Sequence, residues 1–165
     1  MQGKLRNMAS VYIMDGDRML LLYRVGSRVV APSWCGVGGH FEKEELNDAR
    51  AAILREMWEE IGLRECDLKN LKLRYITLRN KNGEVRQNYY FFAEMAVGTK
   101  IKKECNEGIL EWVPMNEVCK REMPYTAGYV VKHYLETGRK TEAIYSGTAT
   151  AGAVIFTELE SEDVD

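Results

Sequence analysis

The alternation of apolar and polar positions predicts a chain of strands interrupted by helices. Met8–Met14 and Arg18–Arg24 are apolar runs on either side of an Asp-Gly-Asp turn, a pattern typical of a β-hairpin. Asp67–Leu78 and Glu84–Val97 flank an Asn-Lys-Asn-Gly turn in the same way and predict a second, longer hairpin.

The other predicted elements are shorter and surround these hairpins. In chain order they are a loop at Gly26–Ser33, a short strand at Trp34–Gly39, a helix at Asn47–Ile61, a charged loop at Lys100–Asn106, a strand at Ile109–Val113, helices at Met115–Lys120 and Pro124–Glu136, a closing hairpin of Glu142–Ser146 and Ala153–Glu158 that turns across Gly147–Ala149, and a frayed acidic tail at Ser161–Asp165. Strands, a helix, more strands and a final helix predict an α+β fold with mixed sheets and helices outside.

The helix at Asn47–Ile61 has clear end signals and two distinct faces. Asn47 or Asp48 can cap its first turn, and Gly62 can end it. At about 100° per residue, its three glutamates fall within about one third of the circumference. Those glutamates are Glu56, Glu59 and Glu60, and the apolar residues expected to pack on the body are Ile53, Leu54, Met57, Trp58 and Ile61.

The three clustered carboxylates repel one another and are stabilised by cations. A solvated acidic helix face would explain a generic cluster of this kind. Here, however, the helix follows the glycine-rich turn Gly36–Gly39, where the backbone can come close to a ligand. Oxygen ligands without Cys or His favour Mg²⁺ or Mn²⁺, which act together with phosphates.

Composition narrows the class of protein. The 165 residues predict one domain, residues 1–165, with 45% apolar and 29% charged residues, as in ordinary globular proteins. A net charge of −2 gives no basic footprint, so we expect no nucleic-acid polymer as a partner. Four cysteines without CxxC spacing, and no apolar run long enough to span a membrane, predict a cytoplasmic protein with reduced thiols.

The stretch from Gly39 to Leu63 resembles the Nudix box, the signature of the MutT-type pyrophosphohydrolases. Five residues separate Gly39 from Glu45 as in the family pattern, and Arg-Glu-Met-Trp-Glu-Glu-Ile-Gly-Leu, starting at Arg55, matches every specified position of its second half. Nine residues separate Glu45 from Arg55, where the pattern has seven. We interpret this as a two-residue insertion at the junction of loop and helix that leaves the helix intact.

The resemblance implies an α/β/α sandwich and Mg²⁺- or Mn²⁺-dependent hydrolysis of a nucleoside diphosphate linked to another group. It implies that Glu56, Glu59 and Glu60 are metal ligands, that Glu56 or Glu59 also acts as general base, and that the Gly38 carbonyl is a further ligand. Arg55 is expected to orient a glutamate through a bidentate pair. A fourth carboxylate is expected from the loop before a later strand, and Glu107, five residues before a Trp, fits better than Glu104.

The substrate is less closely defined by the sequence. The segment Trp34–Gly39 and the final helix followed by a hairpin resemble the branch that hydrolyses oxidised purine nucleoside triphosphates. Cys35 stands where that branch has a base-binding Asn, and His40 stands where many relatives have Lys. We therefore consider Arg24, Cys35 and His40 as substrate contacts, although Arg24 could equally be an exposed strand-end residue and His40 incidental.

Three alternatives have different sequence requirements. A non-catalytic Nudix-fold nucleotide sensor would commonly lack box carboxylates, and all are present here. A Nudix hydrolase of ADP-ribose or another nucleotide conjugate would differ only outside the box. An isopentenyl diphosphate isomerase would share the fold but need a catalytic Cys and a second metal constellation, for which Cys35 is thin support.

Overall fold

A mixed sheet of nine strands forms the centre of the computed structural model, which describes residues 3–25 and 31–162. Parts of the predicted loop at Gly26–Ser33 and of the acidic tail at Ser161–Asp165 lie outside the described residues. The strands are β1 (Lys4–Asp15), β2 (Arg18–Arg24), β3 (Ser33–Cys35), β4 (Val37–His40), β5 (Leu68–Lys81), β6 (Glu84–Met95), β7 (Gly108–Pro114), β8 (Ile144–Ala149) and β9 (Val154–Leu159). The helices are α1 (Ala49–Ile61), α2 (Met115–Val118) and α3 (Tyr125–Glu136), with short 3₁₀ turns at Lys43–Glu45, Glu65–Asp67 and Gly138–Lys140.

Two parallel pairings make the sheet mixed. The main path runs β3-β2-β1-β6-β5-β8-β9, while β4 pairs with β1 and β7 pairs with β2. Strands β1 and β6 are parallel, as are β5 and β8, and the remaining pairs are antiparallel. The predicted α+β class is therefore confirmed, with the strands joined into one sheet.

The helices cover opposite faces of the sheet because successive side chains of a strand point to opposite sides. Val11 and Ile13 of β1 pack with α1, whose Ile53 and Met57 are fully buried. Tyr12, between them in sequence, belongs to the second apolar cluster, which includes the buried residues of α3. Helices on both faces give the predicted sandwich, with α1 on the side that carries the box residues.

Helix α1 has the predicted ends but not all of the predicted packing. Asp48 is the N-cap, and its Oδ1 accepts the Ala51 N–H at 2.9 Å; Gly62 ends the helix with φ 69°. Trp58 does not pack on the body as expected, since it is 50% exposed. Its ring lies 4.6 Å from the Arg64 guanidinium, so a cation–π contact at the surface replaces burial in the core.

Two predicted turns and one predicted strand differ from the structure. The second hairpin is longer than expected because β5 continues to Lys81. Gly147–Ala149, predicted as the closing turn, belongs to β8, where Gly147 pairs with Phe156; the turn is formed later by a hydrogen bond from Thr150 N to Ala153 O. The strand predicted at Trp34–Gly39 is divided at Gly36 into β3 and β4, which pair with different neighbours.

No helix within residues 3–25 and 31–162 combines the length and apolar character required to cross a bilayer.

Candidate active site

The three glutamates of α1 differ in their exposure to solvent. Glu56 and Glu60 are buried beneath the turn between β3 and α1, whereas the side chain of Glu59 is 53% exposed. One helix face therefore presents an accessible carboxylate beside two enclosed ones. This arrangement suits groups that must work on a ligand approaching from solvent.

Arg55 connects the α1 carboxylates to Glu45 in the preceding 3₁₀ turn. Its Nε donates to Glu45 Oε1 at 2.6 Å and its Nη2 to Glu45 Oε2 at 3.0 Å, which is a bidentate pair. Its Nη1 donates to Glu56 at 2.9 Å and to Glu59 at 3.1 Å. The nine-residue spacing thus preserves the Glu45–Arg55 contact. Arg55 holds the three carboxylates that it contacts in fixed positions relative to one another.

The glycine turn allows the backbone of β4 to lie directly against α1. A Cβ at Gly39 would come within 2.6 Å of Glu56 Oε1, so a side chain at position 39 would displace that carboxylate. A Cβ at Gly38 would come within 1.9 Å of the Ala9 carbonyl oxygen on β1. The Gly38 N–H donates to Glu60 Oε2 at 3.2 Å, so the turn also positions the most buried carboxylate.

Arg24, at the end of β2, joins three of the groups predicted as metal ligands. Its Nη2 donates to the Gly38 carbonyl at 3.1 Å and lies 3.5 Å from Glu60 Oε1. Its Nη1 lies 2.8 Å from Glu107 Oε2, which precedes β7. Because β7 pairs with β2, Gly108 lies opposite Arg24, and the neighbouring Glu107 is brought to the site.

Burial and charge act on the carboxylates in opposite directions. Burial raises the pKa of Glu60 to about 8, although the Arg24 guanidinium partly offsets it. Burial also raises the pKa of Glu56, with Arg55 opposing the shift. By contrast, the hydrogen bonds from Arg55 lower the pKa of Glu45. Glu45 is therefore a stable anionic partner for Arg55, while Glu56 and Glu60 are carboxylates enclosed where additional positive charge is favourable.

The other predicted substrate contacts lie at two edges of this site. Cys35 faces the same side of the sheet as Arg24, and its Sγ donates to the Leu22 carbonyl at 3.5 Å. His40 is exposed, and a ring nitrogen lies 2.7 Å from Arg6 Nη2. Desolvation and the nearby Arg6 lower the pKa of His40, which favours its neutral form. Glu104 instead lines a neighbouring cleft with Lys102 and Cys105.

The oxygen atoms of the site suit a hard divalent cation, but they do not point to a common position. Carboxylate and carbonyl oxygens dominate the site, as Mg²⁺ and Mn²⁺ prefer. As the side chains stand, no three His, Cys, Asp or Glu residues of the described segments 3–25 and 31–162 are gathered to hold an ion. The guanidinium groups of Arg24 and Arg55 lie between the carboxylates instead.

Residues 4–134 match the family model of the NUDIX domain, which is most of the chain. The chain belongs to the Nudix family. The predicted family is therefore confirmed, and with it the class of enzyme, a Nudix pyrophosphohydrolase.

Solved Nudix structures share the fold at low sequence identity. A MutT protein from Bacillus halodurans is 23% identical, with 93% of this chain and 97% of that chain covered and a TM-score of 0.63. A Nudix hydrolase from Nitrosomonas europaea is 18% identical, with 82% of this chain and 91% of that chain covered and a TM-score of 0.65. A C. elegans Ap4A hydrolase is 16% identical, with 82% and 99% covered and a TM-score of 0.65.

Sequence reasoning missed several polar residues, some beside the Nudix site and some on the opposite face of the sheet. Arg6 lies beside His40 only because β4 pairs with β1, a contact without a local signal. On the α3 face of the sheet, Tyr12 Oη, Thr77 Oγ1 and Asn88 Oδ1 are buried without a hydrogen-bond partner among the described residues. Thr77 and Asn88 are direct neighbours across β5 and β6. Many other positions of β5 and β6 are also polar, so the sequence carries no distinguishing signal for Thr77 and Asn88.

Proposed function

We propose that this chain uses Mg²⁺ or Mn²⁺ to hydrolyse purine nucleoside triphosphates, including oxidised ones, to the monophosphate and pyrophosphate. The observation that carries the proposal is the complete acidic face of α1, with Glu56, Glu59 and Glu60 held against the glycine turn. A non-catalytic sensor would not require all of these carboxylates. The proposal includes a small nucleotide as the substrate and the cytoplasm as the location of the protein.

The residues fit a divalent ion once Arg24 gives up its contacts with the ligand oxygens. The proposed ligands are the Gly38 carbonyl and the carboxylates of Glu56, Glu59, Glu60 and Glu107. Such an ion would neutralise phosphate oxygens and acidify the attacking water. The enclosed positions of Glu56 and Glu60 support this assignment, because buried carboxylates are stabilised by a cation.

The protein side chains would position and deprotonate the attacking water. The oxygen of water attacks one phosphorus, the anhydride P–O bond breaks, and pyrophosphate leaves with the bonding electrons. Glu59 is the more accessible of the two candidate bases and could receive the proton of that water, while Arg55 holds its carboxylate. Glu56, clamped by Arg55 beneath Gly39, would serve mainly as a ligand.

The purine preference rests on the region outside the box. The predicted C-terminal helix and hairpin are present as α3, β8 and β9, and Trp34 packs against Tyr23 with ring centroids 4.9 Å apart. These features outside the box support the purine preference.

A substrate screen tests this function directly. Purified protein with Mg²⁺ should release pyrophosphate from purine nucleoside triphosphates with higher kcat/KM than from pyrimidine triphosphates, dinucleotide polyphosphates, ADP-ribose or nucleotide sugars. Products separated by anion-exchange chromatography would distinguish pyrophosphate from orthophosphate. Turnover confined to dinucleotide polyphosphates or sugar nucleotides would show that the triphosphatase assignment is wrong while leaving the hydrolase class intact.

Replacing Glu107 with Gln should weaken metal binding or reduce kcat by about 10-fold or more, the scale of losing a supporting metal contact. Glu107 lies across Arg24 from Glu60, on the side of the site away from α1. Mn²⁺ titration and steady-state kinetics would measure both effects.

Glu104→Gln is the matched control for Glu107→Gln, because it removes the same charge from the same loop. It should bind metal and turn over substrate like the wild type. The opposite ranking would assign the fourth carboxylate to Glu104, and two silent variants would confine the metal site to α1 and Gly38.

A further inference from the structure

The Arg24 guanidinium occupies the same oxygens that the proposed metal requires. It contacts the Gly38 carbonyl, Glu60 and Glu107 at 3.1, 3.5 and 2.8 Å. These groups come from β4, α1 and the start of β7, so Arg24 is the point at which three separate segments meet. A guanidinium has five N–H donors in one plane and can serve several acceptors at once.

A metal ion and this guanidinium cannot use these oxygens together. Both are cations, and each needs lone pairs of Glu60 and of the Gly38 carbonyl that point into the same small space. Like charges a few ångströms apart inside a protein repel strongly, since the effective dielectric is far below that of water. Binding of one therefore opposes binding of the other.

The contacts of Arg24 are also incomplete. Its Nε is buried and has no oxygen or nitrogen hydrogen-bond partner among the described residues, although the Cys35 thiol lies beside the guanidinium. The side chain as a whole is 30% exposed. A purely structural arginine would be expected to satisfy a buried donor, because leaving one unpaired is costly. Arg55 provides the contrast, since its Nε and both terminal nitrogens donate to Glu45, Glu56, Glu59 and the His40 carbonyl.

We propose that Arg24 is an internal competitor of the metal ion: it neutralises the ligand oxygens in the metal-free protein, and metal binding displaces it. This inference rests on the proposed metal site. The displaced guanidinium, still at the edge of the site, is then free to pair with the phosphates of the substrate. Arg24 thereby sets the metal concentration at which the enzyme becomes active.

Metal affinity in the absence of nucleotide tests the competition. Because the apparent Kd is the intrinsic Kd divided by the competent fraction, a guanidinium that occupies the site about nine-tenths of the time weakens binding about 10-fold. Arg24→Met should therefore bind Mn²⁺ about 10-fold more tightly than the wild type, as measured by electron paramagnetic resonance of free Mn²⁺. Arg18→Met, on the same strand but paired with Asp15, should leave the affinity unchanged.

Arg24→Lys distinguishes the effect of the specific guanidinium contacts on metal affinity from the effect of the positive charge. It keeps the positive charge but has a single nitrogen in place of the two that reach Glu107 on one side and Gly38 and Glu60 on the other. It should therefore also bind Mn²⁺ more tightly than the wild type, though less tightly than Arg24→Met. It also serves if Arg24→Met does not fold. If Arg24→Lys bound Mn²⁺ no more tightly than the wild type, the proposal that the metal displaces specific Arg24 contacts would be wrong. If the wild type itself did not bind Mn²⁺, the proposed metal site would be rejected instead.

Discussion

Treatment with excess EDTA should reduce nucleotide hydrolysis by about 10³-fold or more, the equivalent of several kcal/mol of transition-state stabilisation. A pyrophosphate group is densely anionic, and the site presents the carboxylates of Glu56, Glu59 and Glu60 to it. Arg24 and Arg55 already neutralise part of that charge through their own contacts. Without an added cation, substrate and protein would repel each other where the reaction must occur.

Activity should return when Mg²⁺ or Mn²⁺ is supplied in excess of the chelator. Circular dichroism before and after EDTA treatment would establish that the fold persists, which is expected because Arg24 and Arg55 bridge the carboxylates without metal. Undiminished turnover by protein whose metal content is far below one ion per chain would rule out the proposed mechanism.

Glu59→Gln should reduce kcat by about 10²-fold or more, the usual scale for losing a general base or metal contact. The substitution keeps the shape of the side chain but removes the charge and most of its basicity. Stability should change by less than about 0.5 kcal/mol, since the side chain is 53% exposed. Arg55 would retain Glu45 and Glu56 as partners. Steady-state kinetics and thermal denaturation would measure the two effects separately.

Glu65→Gln is the matched control for Glu59→Gln. Glu65 lies just beyond the end of α1. Its side chain is 52% exposed and pairs with Arg50. It should retain normal kcat and stability, because it loses the same charge outside the site. Near-normal kcat in Glu59→Gln would remove Glu59 from the chemistry and leave Glu56 as the candidate base.

The catalytic helix could be predicted from sequence because its signals are local. Asp48 and Gly62 mark its ends through contacts with residues only a few positions away. The spacing of the glutamates fixes their common face in any α-helix. The hairpin between β1 and β2 is likewise specified by a short turn between apolar runs. These features need no knowledge of the rest of the chain.

Features that depend on distant pairing could not be predicted. Nothing near Arg24 in sequence indicates that it meets Gly38, Glu60 and Glu107. The pairing of β2 with β7 brings Glu107 to it, while the other two groups come from β4 and α1. The four residues Lys4–Asn7 lack an apolar pattern and join β1 through their pairing with β6. The residue types of Gly147–Ala149 predict a turn, whereas the pairing of Gly147 with Phe156 extends the strand.

The parallel pairing of β1 with β6 determines when the site can form during folding. It joins residues as distant as Lys4 and Glu84, or Met14 and Glu94, so the intervening chain must close into a long loop before the pair is stable. Helix α1 lies within that loop and can form early from local interactions. A nascent chain that ends soon after α1 therefore carries the box glutamates but lacks Glu107 and strands β5 to β9, and its carboxylates are not yet assembled into the complete site.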